Sequence, residues 1–228
     1  MIVSGMVKSS LIDFPGLISC VLFVPGCNYD CFYCHNRSLV DGPYEVQNPD
    51  YVTEFLKKRV GMLDGVVISG GEPTLQPDLL QFAQMIRSLG YKLKLDTNGS
   101  RPEVVKKLIE ERLIDYYAVD YKAPGLDYPE VCGAGAQAEK VLETVKLLLD
   151  SNASFEVRTT VYPQLGEGEL ITMARELPVV PRYVLNRYRK PDKYKDCDTF
   201  RIDETPYSQA QIEALAKAMK KYQPNVRT

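Results

Sequence analysis

Three of the six cysteines fall within eight residues, in Pro25-Gly-Cys-Asn-Tyr-Asp-Cys-Phe-Tyr-Cys-His-Asn36. Cys27, Cys31 and Cys34 carry the spacing Cys-x3-Cys-x2-Cys in one short loop. Thiolates are the usual protein ligands of iron–sulfur clusters, and four are normally needed. This loop supplies three, so a [4Fe–4S] cluster on it would leave one iron open to a ligand that is not protein. Zinc is the competing metal, but a Cys3His site needs a fourth ligand at tetrahedral reach. His35, the single histidine, adjoins Cys34, and adjacent side chains seldom close on one ion. A third reading is thiols gathered by accident, or a redox pair. Cys20 lies in a β-rich run and reads as a small core residue, and Cys132 and Cys197 read as free thiols.

Four other polar stretches carry groups able to hold a ligand. In Ser69-Gly70-Gly71-Glu72-Pro73 the paired glycines let backbone approach a ligand closely. Glu72 alone reads equally as a carboxylate near a helix start. Asp96-Thr97-Asn98-Gly99 alone reads as a turn with Asx bonding, and Asp120-Tyr121-Lys122 as a surface charge pair. Arg158, in Glu156-Val-Arg-Thr-Thr160, reads alone as half of an internal salt bridge.

Together these segments carry a resemblance. Cys27-x3-Cys31-x-Tyr33-Cys34 resembles the signature of the radical S-adenosylmethionine superfamily. The longer string through His35-Asn36 resembles its glycyl-radical-enzyme activases. So does the opening Ser10-Leu-Ile-Asp-Phe-Pro-Gly16, followed by a hydrophobic strand into Pro25-Gly26-Cys27. Within that group the likeness is greatest to the activating proteins of anaerobic ribonucleoside-triphosphate reductase. It runs through the strand exits to about Tyr162 and weakens beyond.

The resemblance implies a [4Fe–4S] cluster on Cys27, Cys31 and Cys34, its open iron holding the methionine amine and carboxylate of S-adenosylmethionine. It implies Tyr33 near the adenine and Gly70, Gly71 and Glu72 at the methionine amino group. Lys122 matches a lysine that reaches the carboxylate, and Arg158 lies near that carboxylate or the ribose. Asp96, Thr97 and Asp120 match positions around a monovalent cation, and their hard oxygens suit sodium or potassium better than zinc. The activity implied is reductive cleavage of S-adenosylmethionine, then hydrogen abstraction from a backbone glycine of a partner, an anaerobic ribonucleotide reductase. A flavodoxin or ferredoxin would donate the electron. One departure stands out: a histidine follows the sixth strand in pyruvate formate-lyase-type activases, where this chain has Leu185-Asn186-Arg187-Tyr188. Two alternatives stay open: a radical enzyme acting on a small molecule such as a pterin or modified-nucleoside precursor, and a non-enzymatic iron–sulfur or zinc-binding module.

An α/β architecture must position these groups. Runs rich in β-branched and aromatic residues at 18–24, 66–69, 92–95, 116–120, 155–162 and 183–185 predict six strands. Amphipathic stretches at 50–60, 102–112, 137–149, 167–176 and 208–222, with one opened by Gln76-Pro77-Asp78, predict the intervening helices. Alternation of this kind implies βα units with parallel strands. Eight such units would fill about 250 residues, so six in 228 residues predict an incomplete (β/α)6 barrel in a single domain spanning 1–228. Its site would lie at the C-terminal ends of the strands, where all the stretches above fall. Arg187–Arg201, rich in basic and aromatic residues, reads as a solvated loop or a docking surface for a protein. The formal net charge of -2 gives no electrostatic case for nucleic acid or an anionic membrane. The first 16 residues hold no apolar run long enough for a signal peptide or span, so the expected location is cytoplasmic.

Overall fold

The six anticipated runs form six consecutive parallel strands. In the computed structural model, which describes residues 1–228, the strands are β1 (Gly5–Ser10), β2 (Ser19–Val24), β3 (Gly65–Gly70), β4 (Lys92–Thr97), β5 (Tyr116–Asp120), β6 (Phe155–Val161), β7 (Tyr183–Arg187) and β8 (Val226–Arg227). They lie in sequence order in one sheet. The β1–β2 pair is antiparallel and every later pair is parallel. The two outer strands are additions to the predicted six. β1 has a largely exposed, polar-ended sequence, and β8 is two residues long, so neither leaves a periodic signal. The outer strands do not pair with each other, so the barrel stays open.

The helices are α1 (Arg37–Asp41), α2 (Pro49–Lys58), α3 (Leu79–Ser88), α4 (Pro102–Glu110), α5 (Tyr128–Cys132), α6 (Ala138–Asp150), α7 (Glu167–Glu176), α8 (Thr199–Ile202) and α9 (Gln209–Met219). The longer ones begin where local chemistry says they should. The Asn48 side chain accepts from the Asp50 N–H at 2.8 Å ahead of α2, with Pro49 in the first turn. Ser208 and Gln211 cap each other's backbone at the start of α9. The short helices α1, α5 and α8 fall in stretches that read as loops, because five residues or fewer cannot display a 3.6-residue period.

The two faces of the sheet differ. Cys20, Leu22, Val24, Val66, Ile68, Leu93, Leu95, Val119 and Val157 belong to a core of 54 buried residues shared with the helices. The alternate positions form the barrel interior, since successive side chains point to opposite faces. That interior is layered. Phe14, Val21 and Val67 make a small separate apolar cluster, with Tyr116 against Phe14 at a ring separation of 6.2 Å. Further along the same face come Lys94, Asp96, Asp120, Arg158, Thr160 and Asn186. Register sets Asp120 beside Arg158, and Thr160 beside Asn186. An apolar plug thus closes the N-terminal end of the barrel, and a polar ladder leads to the C-terminal ends of the strands.

Candidate active site

The cysteine loop leaves β2 and is clamped on three sides. From α1, buried Arg37 donates to the Cys31 carbonyl at 2.6 Å and to Asp30 at 2.5 Å. From the β3 exit, the Gly70 carbonyl accepts from Asn36 Nδ2 at 3.0 Å. From α5, the Cys132 carbonyl accepts from Asp30 N–H at 2.7 Å and the Val131 carbonyl from Phe32 N–H at 3.2 Å. Cys27 Sγ accepts from Tyr29 N–H at 3.4 Å and from Asn98 Nδ2 at 3.8 Å. Burial pushes the Cys27 thiol up to about 12 and the Cys34 thiol upward. Cys31 goes the other way, chiefly through a hydrogen bond from the Cys132 thiol. No three of the His, Cys, Asp and Glu side chains gather tightly enough to hold a single metal ion. Tetrahedral zinc would need all its thiolates about 2.3 Å from one centre. A multi-iron cluster engages thiolates at separate irons and tolerates wider spacing.

All three thiols line a cavity of about 560 Å³ at the C-terminal ends of the strands. Its size is ordinary for a cofactor pocket. Of the other sequence-predicted residues, Tyr33, Gly70, Gly71, Asp96, Thr97, Asp120, Lys122 and Arg158 also line it. Glu72 does not. It is fully buried behind the wall, where its carboxylate accepts from Thr74 N–H (3.0 Å), Thr74 Oγ1 (2.5 Å), Thr97 Oγ1 (2.7 Å) and Asn98 N–H (2.6 Å). Burial raises its pKa against the pull of those donors. Glu72 fastens the β3 exit to the β4 exit, and the cavity meets the Gly70–Gly71 backbone instead. The resemblance implies all three GGE residues at the cofactor; Gly70 and Gly71 line the cavity and the Glu72 carboxylate lies behind its wall.

The expected turn and charge pairs are parts of one network. Arg158 bridges Asp96 at 3.1 Å and Asp120 at 2.9 Å. Lys94 completes Asp96 at 2.7 Å, and Lys122 meets Asp120 at 3.2 Å. The two carboxylates offered as cation ligands therefore already face three protein cations. Burial acts to raise the Asp120 carboxyl, but Arg158 and Lys122 outweigh it and hold it at about 2. Such a depressed carboxyl contributes stability that is present above its ordinary value near 4 and lost as pH falls towards 2. Acid unfolding of Asp120→Asn should accordingly be flatter than wild type across that window. Arg158→Ala should cost on the order of 3 kcal/mol, at the low end for a broken buried pair because Lys94 and Lys122 remain. A denaturant midpoint equal to wild type would show that the network contributes nothing to stability.

Three buried tyrosine hydroxyls on the cavity wall, those of Tyr29, Tyr33 and Tyr188, have no hydrogen-bond partner. Orphaned polar groups of this kind call for a partner. Together with the thiol trio and the cation-rich ladder, they fit a cluster and a zwitterionic cofactor. Tyr33 stacks on Tyr162 at a ring separation of 4.9 Å, which fixes its orientation. Sequence reasoning missed Lys94, Tyr29, Asn98 and Tyr188. Lys94 had a usable signal, for it stands two residues before Asp96 and so shares its face. The tyrosines had none, because a buried aromatic reads as core.

The comparisons with known proteins agree with this geometry. Residues 21–177 match the family model described as the radical SAM superfamily. The chain is 34% identical over 232 aligned residues to a protein of Methanocaldococcus jannaschii provisionally named a glycyl-radical enzyme activating enzyme, covering 99% of this chain and 94% of that one. Its fold resembles SuiB of Streptococcus suis bound to S-adenosylmethionine (TM-score 0.66, 15% identity), covering 89% of this chain and 48% of that one, so the chain spans about half of SuiB. It also resembles a domain of pyruvate-formate lyase-activating enzyme from Bacteroides vulgatus (TM-score 0.54, 19% identity), covering 69% of this chain and 94% of that one. A family match running from β2 past β6, over a parallel open barrel with three thiols at its mouth, leaves one conclusion: this chain belongs to the radical S-adenosylmethionine superfamily.

Proposed function

We propose that this chain is a glycyl-radical-enzyme activating enzyme and that its partner is an anaerobic ribonucleoside-triphosphate reductase. The observation that carries the reading is the convergence of Cys27, Cys31 and Cys34 with Lys122 and Arg158 on one cavity. Support for the activase role comes from the Methanocaldococcus relative, which matches nearly end to end. When bound, a [4Fe–4S] cluster and S-adenosylmethionine supply a carbon radical that takes one hydrogen atom from a glycine Cα, one electron coming from a flavodoxin or ferredoxin.

The chain's own residues position these groups. The three thiolates hold the cluster. The Gly70–Gly71 backbone presents polar groups to the methionine amine, and Lys122 and Arg158 offer cations to the carboxylate. The ring of Tyr33, fixed by Tyr162, packs near the adenine. Asp96, Thr97 and Asp120 are the candidate oxygen ligands of a monovalent cation, which would compete with Arg158, Lys94 and Lys122 for the two carboxylates. Asn186 stands at the wall where related activases carry histidine, so it offers a hydrogen bond without proton transfer. A glycine is a reasonable target because no side chain blocks its Cα. All six cysteines are free, which suits a reducing compartment, and we place the chain in the cytoplasm. No helix is long and apolar enough to cross a membrane.

The test is anaerobic incubation of the reconstituted protein with the reductase, S-adenosylmethionine and reductant. A glycyl radical doublet should appear by electron paramagnetic resonance, and deuterium from the partner's glycine Cα should reach 5′-deoxyadenosine. Label arriving from a pterin or nucleoside precursor, with none from the glycine, would replace the activase reading with the small-molecule one.

A further inference from the structure

We propose that the segment after β7, residues 188–203, is a strap across the cysteine loop, with Lys195 and Arg201 as positioning residues that hold Cys31 in place for a cluster. The role in cluster retention rests on the reading that Cys31 is a ligand. The strap grips the two residues that flank Cys31. Asp30 divides its carboxylate: Oδ1 accepts from Arg37 at 2.5 Å, and Oδ2 accepts from Lys195. Phe32 is capped by the Arg201 guanidinium, whose Cζ lies 4.4 Å from the ring centre. On their backbone the same two residues are held by α5, where Asp30 N–H donates to the Cys132 carbonyl (2.7 Å) and Phe32 N–H to the Val131 carbonyl (3.2 Å). Cys31 thus sits between backbone bonds to α5 and side-chain contacts to the strap.

Arg201 is firmly seated. Its Nη2 meets buried Asp198 at 2.7 Å and its Nη1 reaches Glu130 of α5 at 3.5 Å. Gln164 Nε2 donates to its carbonyl at 3.0 Å, and the next residue, Ile202, is buried. The guanidinium is mostly withdrawn from water and lies over a buried ring, which strengthens the cation–π attraction. Phe32 in turn meets Tyr33 and Tyr162 edge-on, each at a ring separation of 5.2 Å. Arg201 therefore closes an aromatic cluster set between Cys31 and Cys34. Lys195 is the weaker grip, because its pair with Asp30 is half-exposed. Another ion pair, Lys190 with Asp203, is equally exposed but joins two residues of the strap itself. A solvated loop with incidental ion pairs would not distinguish these two lysines, whereas a strap does.

Iron held on such a loop is lost through local opening, so its rate of loss follows the opening equilibrium. The experiment follows iron lost to excess EDTA, without oxygen, from reconstituted wild type, Lys195→Gln, Lys195→Arg, Arg201→Met and Lys190→Gln. Lys195→Gln should lose iron about threefold faster than wild type, as a half-exposed pair allows, and Lys195→Arg should return to the wild-type rate. Arg201→Met should lose it about tenfold faster, as a desolvated cation–π contact allows. Lys190→Gln should match wild type. Denaturant midpoints of the Lys195→Gln and Lys190→Gln chains without cluster should agree, which separates the grip on the loop from general destabilisation. Wild-type rates in Lys195→Gln and Arg201→Met overturn the inference and leave the cluster reading intact. Equal acceleration in Lys190→Gln and Lys195→Gln overturns it as well, by making the effect a general loosening of the segment. Should Arg201→Met fail to fold, the lysine variants decide. A wild type that takes up no cluster sinks the cluster reading itself. The strap is then judged by amide hydrogen exchange at Asp30 and Phe32 in the unloaded chain: faster exchange in Lys195→Gln than in Lys190→Gln upholds it, and equal exchange overturns it.

Discussion

Cys31→Ala is expected to hold essentially none of the iron and sulfide that the wild-type protein binds. A cluster of this kind carries about four of each per chain and is normally held by four thiolates. The loop offers three, so removing one leaves two protein anchors. Cys31 is also the best-fixed of the trio, with its carbonyl on Arg37 and its neighbours Asp30 and Phe32 paired to α5. Neither Cys20 nor Cys197 lines the cavity, so neither is placed to replace it. Cys20 points into the helix-packed core, Cys197 is exposed, and Cys132 faces Cys31 itself. Cys27→Ala and Cys34→Ala should fail in the same way, while Cys20→Ala and Cys197→Ala keep the full complement. Circular dichroism should report a folded chain throughout. Iron and sulfide analysis with the visible charge-transfer absorbance checks this directly, and full retention in Cys31→Ala would end the assignment of the loop.

The parallel strands were legible because each is short, β-branched and bounded by glycine, proline or polar residues. The boundaries of β5 fall where sequence put them, and β3 and β6 differ by a residue or so at their ends. The strand exits were legible as a set, since the topology forces them to one end whatever their individual meaning. What sequence left hidden is how the exits touch one another. Asp96-Thr97 and Asp120-Tyr121-Lys122 each look like local charge and turn chemistry. Only the register of β4, β5 and β6 turns them into one network through Arg158. Glu72 is the opposite case. A carboxylate after two glycines at a strand exit invites a ligand role, yet the chain's own Thr74, Thr97 and Asn98 take its lone pairs. Nor does any pattern say that Cys132, a hundred positions on, comes to rest against Cys31. Contacts between loops depend on the lengths of the helices between them, and no residue type encodes that.

Gly71→Ala should be among the most damaging substitutions in the chain, although it adds one methyl group. A Cβ at Gly71 would lie 1.9 Å from the Gly26 carbonyl oxygen and 2.7 Å from its carbon. Both are backbone atoms of the loop that opens the cysteine motif, so no side chain can swing aside. Two hydrogen bonds hold the segments together there, Gly71 N–H to the Val24 carbonyl and Glu72 N–H to the Gly26 carbonyl, each 2.8 Å. Relieving the clash means parting the β2 and β3 exits, which breaks those bonds and drags Glu72 from its fully buried bracket. Overpacking of this kind costs on the order of 3 kcal/mol, more where backbone must move. Because the displaced segment carries Cys27, the variant should also lose most of its cluster iron, which simple destabilisation would not require in the folded fraction. Gly168→Ala is the control: it lies in α7 with nothing within 4 Å of an added Cβ. Replacing glycine in a helix should stabilise by about 0.5–1 kcal/mol. If the paired glycines exist to seat the β3 exit against the cysteine loop, the denaturant midpoints of the two variants shift in opposite directions and only Gly71→Ala loses iron. A Gly71→Ala protein matching wild type in both would mean the two exits are not packed this way.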